Sequence, residues 1–425
     1  FNNKYFAVAS FRRDGSSKFG ANNQYGNFWS FGGSWIISNE SFMPRSGALS
    51  LLKVRGSYGT TGNANIQDFI TRALYTYTQY ASLSAAIPSR LANPDLTWEK
   101  AYTTNIGLDV SFFKRITLSI DAYQRDNKDL LFDVPLSSAS GFTTQIQNIG
   151  TIRNRGVDIE LNTVNVSTKN FKWETNLNIG FNRNSVLSLY NGQAIDNGLR
   201  RVIVGQPLRT WFMQKWMGVD PQTGGPTWER VTFDANGNVE KRETTTNYNL
   251  ATPQIVGRAN PDFTGGFINN ISYKNLSLNV FFNFVKGNQL YNTDREGLDA
   301  DGAYPTNNNV VLKNGWTRWQ KPGDIATHPY AILGGGGTNS NKPSSRYLED
   351  GSYIRLRNVR LNYDISTPRL QKLNIASLSV FLSADNLYTW TKYSGLDPEV
   401  NFDNAFADIP YPISKKILFG VNVGF

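Results

Sequence analysis

The chain has 425 residues, with 43 Lys plus Arg against 33 Asp plus Glu, so its formal net charge is +10. Aromatic residues make up 13% and charged residues 18%, the latter below the ~25% usual for soluble domains. There is no Cys and one His, His328, which excludes disulfides, thiolate metal sites, a Cys nucleophile and paired-His zinc motifs within this chain.

Alternation with period two dominates the pattern. Segments of this kind start near Lys4, Gly26, Leu49, Thr104, Ile116, Gly156, Phe171, Arg209, Thr227, Phe263, Leu276, Tyr353, Leu378 and Lys416. They predict about fourteen strands of ~9–13 residues, those at Arg209 and Thr227 having the weakest alternation. In the segment from Phe171, Trp173, Thr175, Leu177, Ile179 and Phe181 share one face, and Lys172, Glu174, Asn176, Asn178 and Gly180 the other. The segment at Tyr353 changes phase. Ile354 and Leu356 have one parity and Val359, Leu361, Tyr363 and Ile365 the other, which predicts a β-bulge near Asn358. No stretch approaches ~18 consecutive apolar residues, so no membrane-spanning helix is expected.

The connections alternate in length. Short ones fall at Lys114, at 168–170, at 221–225 and at Lys274–Asn275; long ones at 61–99, 128–151, 190–208, 233–261, 287–352 and 392–412. Short turns at one end and long loops at the other predict an all-β, antiparallel, up-and-down transmembrane β-barrel. Residues 287–352 are then expected outside the cell with Thr338 accessible, and Lys114 and Asn275 in periplasmic turns. Aromatics gather at strand ends, at Trp98, Phe112, Phe113, Phe171, Trp173, Tyr273, Tyr353, Tyr388 and Trp390, as in an interfacial girdle.

Motifs for chemistry are sparse. The glycine run at 334–337 lacks the Lys and helix of a phosphate loop. His328, beside Pro329, reads as an exposed loop residue. Asp294, Glu296, Asp299 and Asp301 offer the carboxylate oxygens that Ca²⁺ takes, but the spacing is not an EF-hand, and a solvated acidic loop is the plainer reading. Arg355, Arg357 and Arg360 sit on strand faces turned toward a lumen or an interface, and no basic run interleaves with aromatics, so nucleic acid is not an expected partner. No catalytic residue, cofactor or enzymatic activity is expected. Trp316, Arg318, Trp319 and Tyr330 share the longest loop and suit stacking on sugar rings or peptide side chains; packing of the loop itself is the plainer alternative.

Several segments, in order along nearly the whole chain, resemble the C-terminal barrel region of the SusC/RagA family of TonB-dependent outer-membrane transporters. They are RDGSSKFG at 13–20, VRGSYGTTGN at 54–63, NPDLTWEK at 93–100 with NIGLD at 105–109, GTIRNRGVDIE at 150–160, YIRLRNV at 353–359 and ADNLYTWTKYSGLDPE at 384–399. The last strand, ending in Phe425, looks like the sorting signal of bacterial outer-membrane proteins. The resemblance implies residues 1–425 are the C-terminal part of a barrel of about 22 strands, with the plug domain absent from this chain and the remaining strands elsewhere, in the same precursor or another chain. It implies location in the outer membrane of a Gram-negative bacterium of the Bacteroidota. It also implies active import of an oligosaccharide or oligopeptide, a SusD-like surface lipoprotein as lid, and TonB coupling through the missing N-terminal region. The alternatives are a passive porin or adhesin barrel, and a secreted β-rich carbohydrate-binding protein.

Overall fold

The computed structural model describes residues 1–44, 47–307, 311–335, 338–366, 370, 374–399, 405–407 and 412–425. Parts of the expected long connections (308–310, 400–404, 408–411) and Gly336 and Gly337 of the glycine run lie outside the described residues.

Alternating sequences become long antiparallel strands, and register turns each alternation into a two-faced wall. The long strands are β1 (Tyr5–Gly15), β2 (Tyr25–Ile36), β3 (Leu49–Asn63), β4 (Glu99–Phe112), β5 (Ile116–Lys128), β6 (Thr151–Ser167), β7 (Phe171–Ser188), β8 (Phe263–Tyr273), β9 (Leu276–Lys286), β10 (Tyr353–Asp364), β11 (Ser377–Thr391) and β12 (Lys416–Gly424). The chain divides into two compact units.

In the first unit β1 to β7 and β8 from Gly265 onward follow one another in sheet order, while Phe263 and Thr264 at the start of β8 belong to the second unit. Across β4, β5, β6 and β7 the outward face carries whole apolar rows: Val110, Leu118, Leu161, Leu177; then Leu108, Ile120, Ile159, Ile179; then Ile106, Ala122, Val157, Phe181. The next row is Thr104, Gln124, Arg155 and Arg183. An apolar band that gives way to charge in a single row marks the edge of the hydrocarbon layer. The opposite face is polar, with Arg55, Gly107, Asp121, Asp158 and Gly180 aligned across five strands. At the short-turn end Phe113 and Lys114 both have positive φ, and Arg115 N donates to Phe112 O at 2.9 Å, the left-handed geometry that fits a hairpin's twist.

In the second unit β9, β10, β11 and β12 are neighbours in order. Outward rows run Leu278, Leu361, Leu382, Phe419 and Val280, Val359, Ala384, Ile417. The predicted bulge is present: the register shifts between Leu356 and Asn358 against β11, opposite Asn386 at φ 55°. It keeps Leu356 and Val359 on the same outward face although their parities differ.

The segments at Arg209 and Thr227 are a correction. They form the short strands Thr210–Gln214 and Pro226–Phe233, which pair in a four-stranded and a three-stranded sheet apart from the long strands. Twelve long strands remain of the fourteen expected, and the turn at 221–225 belongs to a loop sheet. A long connection that folds its own sheets avoids leaving buried backbone groups unpaired. Smaller hairpins occupy the loops of the first unit, Leu74–Tyr80 with Leu83–Arg90 and Leu131–Pro135 with Thr144–Asn148.

Candidate functional site in the folded loops

The second unit carries its hydrophobic core in the loops. Trp211, Met213, Ala259, Leu290, Tyr291, Tyr347, Tyr393 and Ala405 form one buried cluster. Burial makes a polar group beside such a core costly unless it finds a partner.

Beside it lies a closed ion network. A short helix, Thr293–Leu298, is capped by Asn292, whose Oδ1 accepts from Arg295 N. This aims Arg295 Nη2 at Asp299 Oδ2 (2.7 Å) and Nη1 at Glu349 Oε1 (3.0 Å). Asp299 also faces His328 Nε2 at 3.1 Å, and its Oδ1 stands 3.6 Å from Arg346 Nη2. Asp301 accepts from Arg346 and, at 2.7 Å, from Arg318 Nη1. Both aspartate side chains are fully buried. Burial opposes ionisation of Asp299, but the hydrogen bond with His328 and the charges of Arg346 and Arg295 outweigh it and lower its pKa. Burial above all raises the pKa of Tyr347, whose hydroxyl donates to Ser340 O at 3.0 Å.

Three arginines therefore balance three carboxylates, and the network fastens the loop. The expected acidic cluster does not converge on a cation. Asp299 and Asp301 face arginines, Glu296 accepts from the Tyr291 hydroxyl at 2.7 Å, and Asp294 sits in the first turn of the helix. Among the described residues no three His, Asp or Glu are grouped to hold a metal ion. Two readings are corrected: the acidic loop is not solvated at Asp299 and Asp301, and His328 is buried, 2% exposed, against Trp316 at 4.9 Å between ring centroids. Thr338 is buried too.

The substrate-contact candidates separate into two pairs. Trp316 stacks under Arg295, 4.6 Å from its ring centroid, and Arg318 is spent on Asp301 and Pro329 O. Trp319 and Tyr330 meet edge to face at 6.1 Å, with Trp319 Nε1 donating to Pro221 O. Both remain half-buried, as does Trp316. Sequence reasoning missed Arg295, Arg346 and Glu349; Arg295 stands four residues before Asp299, a helical ion-pair spacing that could have been read, while the partners of Arg346 and Glu349 lie far along the chain.

The polar face of the first unit offers a second surface. Lys53, Arg55, Ser57 and Asn105 line a cavity of about 450 Å³ with Phe6 and Val8. Arg55 bridges Asp109, with Nε 3.2 Å from Oδ2, and Asp121. The charged part of this wall, Arg55 with Asp109 and Asp121, suits polar cargo or a folded polar domain rather than lipid.

Comparison with known proteins gives consistent results. Residues 1–387 match the family described as TonB dependent receptor-like, beta-barrel. TonB-dependent receptor P39 of Formosa agariphila is 32% identical, with 100% of this chain aligned to 45% of that protein. TonB-dependent receptor SusC of Bacteroides thetaiotaomicron is 28% identical, over 100% of this chain and 42% of that protein. Among solved structures, the RagAB peptide transporter matches with a TM-score of 0.86 and 32% identity, over 100% of this chain and 46% of that one. The chain thus spans less than half the length of these relatives.

Proposed function

The chain belongs to the family of TonB-dependent receptor-like β-barrels, and on that premise we propose that it serves active import of oligomeric nutrients. Its place is the bacterial outer membrane, crossed by the β-strands described above. The observation that carries the proposal is the match along the whole chain to the RagAB peptide transporter. Because that relative is a peptide transporter, short peptides are the first substrate class to test, ahead of oligosaccharides.

In this reading cargo is received at the folded outer loops, beneath a SusD-like surface lipoprotein. It then moves along the polar wall of Lys53, Arg55 and Asp121, and no covalent bond is made or broken. TonB would act through a plug domain in another part of the complete protein. Residues 1–425 are the later part of the barrel. The outer edge of β1 and that of β12 carry no ladder among the described residues, and bare backbone in hydrocarbon costs several kcal/mol per group. Further strands of the complete protein should pair with both edges. A structure showing β1 and β12 bonded to each other would overturn this.

The direct test is uptake by cells with and without the complete protein, offered a radiolabelled oligopeptide mixture or a matched oligosaccharide mixture. Protein-dependent uptake of peptides supports the reading. Uptake of oligosaccharides alone overturns the peptide class, and uptake of neither overturns import.

A further inference from the structure

The outward rows of the second unit end in a hollow. At the loop ends of β9, β10 and β11, beside the start of β8, lies a cavity of about 410 Å³. Phe263, Phe284, Ile354 and Trp390 form its apolar wall, and the last three belong to one register row. Phe263 and Phe284 meet edge to face at 6.1 Å; Trp390 leans on Phe282 at 6.3 Å and on Tyr388 at 4.7 Å. About half the surface of Ile354 and of Trp390 is open. These are the residues of an aromatic girdle, the level at which lipid head groups lie.

The rim is cationic. Lys286 and Lys392 both line the cavity, and Asp350 is the carboxylate among its lining residues. Lys286 Nζ is 3.9 Å from Asp350 Oδ2, with both side chains well exposed, so the pairing is weak. Asp350 Oδ1 is occupied by Ser352, accepting from its backbone N at 2.9 Å and from its hydroxyl. Two cations against one partly engaged carboxylate leave the rim positive.

We propose that this cavity binds one phosphorylated lipid of the outer leaflet. Its acyl chain lies along Phe263, Phe284, Ile354 and Trp390, and its phosphate sits between Lys286 and Lys392. The wall is continuous with the lipid-facing rows, so an acyl chain reaches it without leaving the bilayer. Phosphate is the anion found at that depth, and each basic residue near it strengthens binding several-fold. An apolar segment of another protein would use the wall and leave both lysines idle.

The test uses the complete protein, purified in detergent, delipidated and titrated with monophosphoryl lipid A while bound lipid is counted by native mass spectrometry. The wild type should retain one lipid, and the dephosphorylated form should bind about tenfold or more weakly. Lys286→Gln with Lys392→Gln should erase that difference. Because both side chains are exposed, the variant should keep the heat-modifiable mobility of a folded barrel. Equal binding of both lipid forms by the wild type, or an unchanged preference in the folded variant, would overturn the proposal. So would capture of a protein instead of lipid at this cavity.

Discussion

Arg355 meets Glu399 with 2.8 Å between Nη1 and Oε2, and the same guanidinium donates through Nη2 to Asp397. Arg357 Nη1 reaches Glu399 Oε2 from the other side at 2.9 Å. The start of β10 is thereby tied to the segment that follows β11. Two sequence stretches that looked like separate family signatures, 353–359 and 384–399, form one physical object.

Arg355 is 1% exposed, so Arg355→Ala would strand Asp397 in a poorly hydrated site and leave Glu399 to Arg357 alone. Loss of one partner from a buried pair costs about 3–5 kcal/mol. The temperature at which the folded barrel loses its compact gel mobility should fall clearly. Adding Asp397→Asn and Glu399→Gln should restore much of the loss by removing the stranded charge. A single variant as stable as wild type would show that the clamp holds nothing.

Acid should loosen the outer loops through Asp299. Its pKa is lowered in the folded state, so its contribution to stability is complete above the ordinary aspartate value of 3.8. The contribution is lost as pH falls through the lower folded value. Hydrogen exchange in residues 293–301 should accelerate below about pH 4. Asp299→Asn should exchange faster already at neutral pH, with a flatter acid limb.

Much of this architecture was legible in the amino-acid pattern. Alternation located every long strand, and the phase change at Leu356 and Val359 located the bulge, because a half-buried strand must keep one parity apolar. The strands at Arg209 and Thr227 misled for the same reason. Period two is identical in a loop sheet and in a membrane wall, and only register reveals which sheet a strand joins. Most of the ion network was invisible, since Asp299 meets His328 and Arg346 across long stretches of intervening chain. His328 looked exposed because it lies in a loop beside Pro329 with no partner motif nearby, while its neighbours in space are Trp316 and Asp299.

Gly107 should resist replacement. The Arg55 guanidinium crosses directly over it, and a Cβ there would come within 2.5 Å of Arg55 Cζ. Gly107→Leu should push the partly exposed tip of Arg55 off Asp121 at a cost of about 1 kcal/mol, read as a slightly lower unfolding temperature of the barrel. Gly56, whose added Cβ would meet one backbone oxygen at 3.8 Å, should tolerate Ala far better.

Orientation is checked by cysteine labelling of intact cells. Thr338 is buried and unsuited, but Ile325 in the same long connection is 92% exposed. Ile325→Cys should react with an impermeant maleimide, and Lys114→Cys, in the short turn, should react only after the outer membrane is opened. The reverse pattern would invert the assignment of loops and turns.

The central claim is energised import. It is tested most directly by uptake of a labelled substrate oligomer by cells carrying the complete protein, before and after a protonophore collapses the inner-membrane gradient. The account predicts that uptake against a concentration gradient stops with the protonophore while surface binding persists. Uptake that continues unchanged and levels off at the outside concentration would contradict it, and would make the barrel a passive pore.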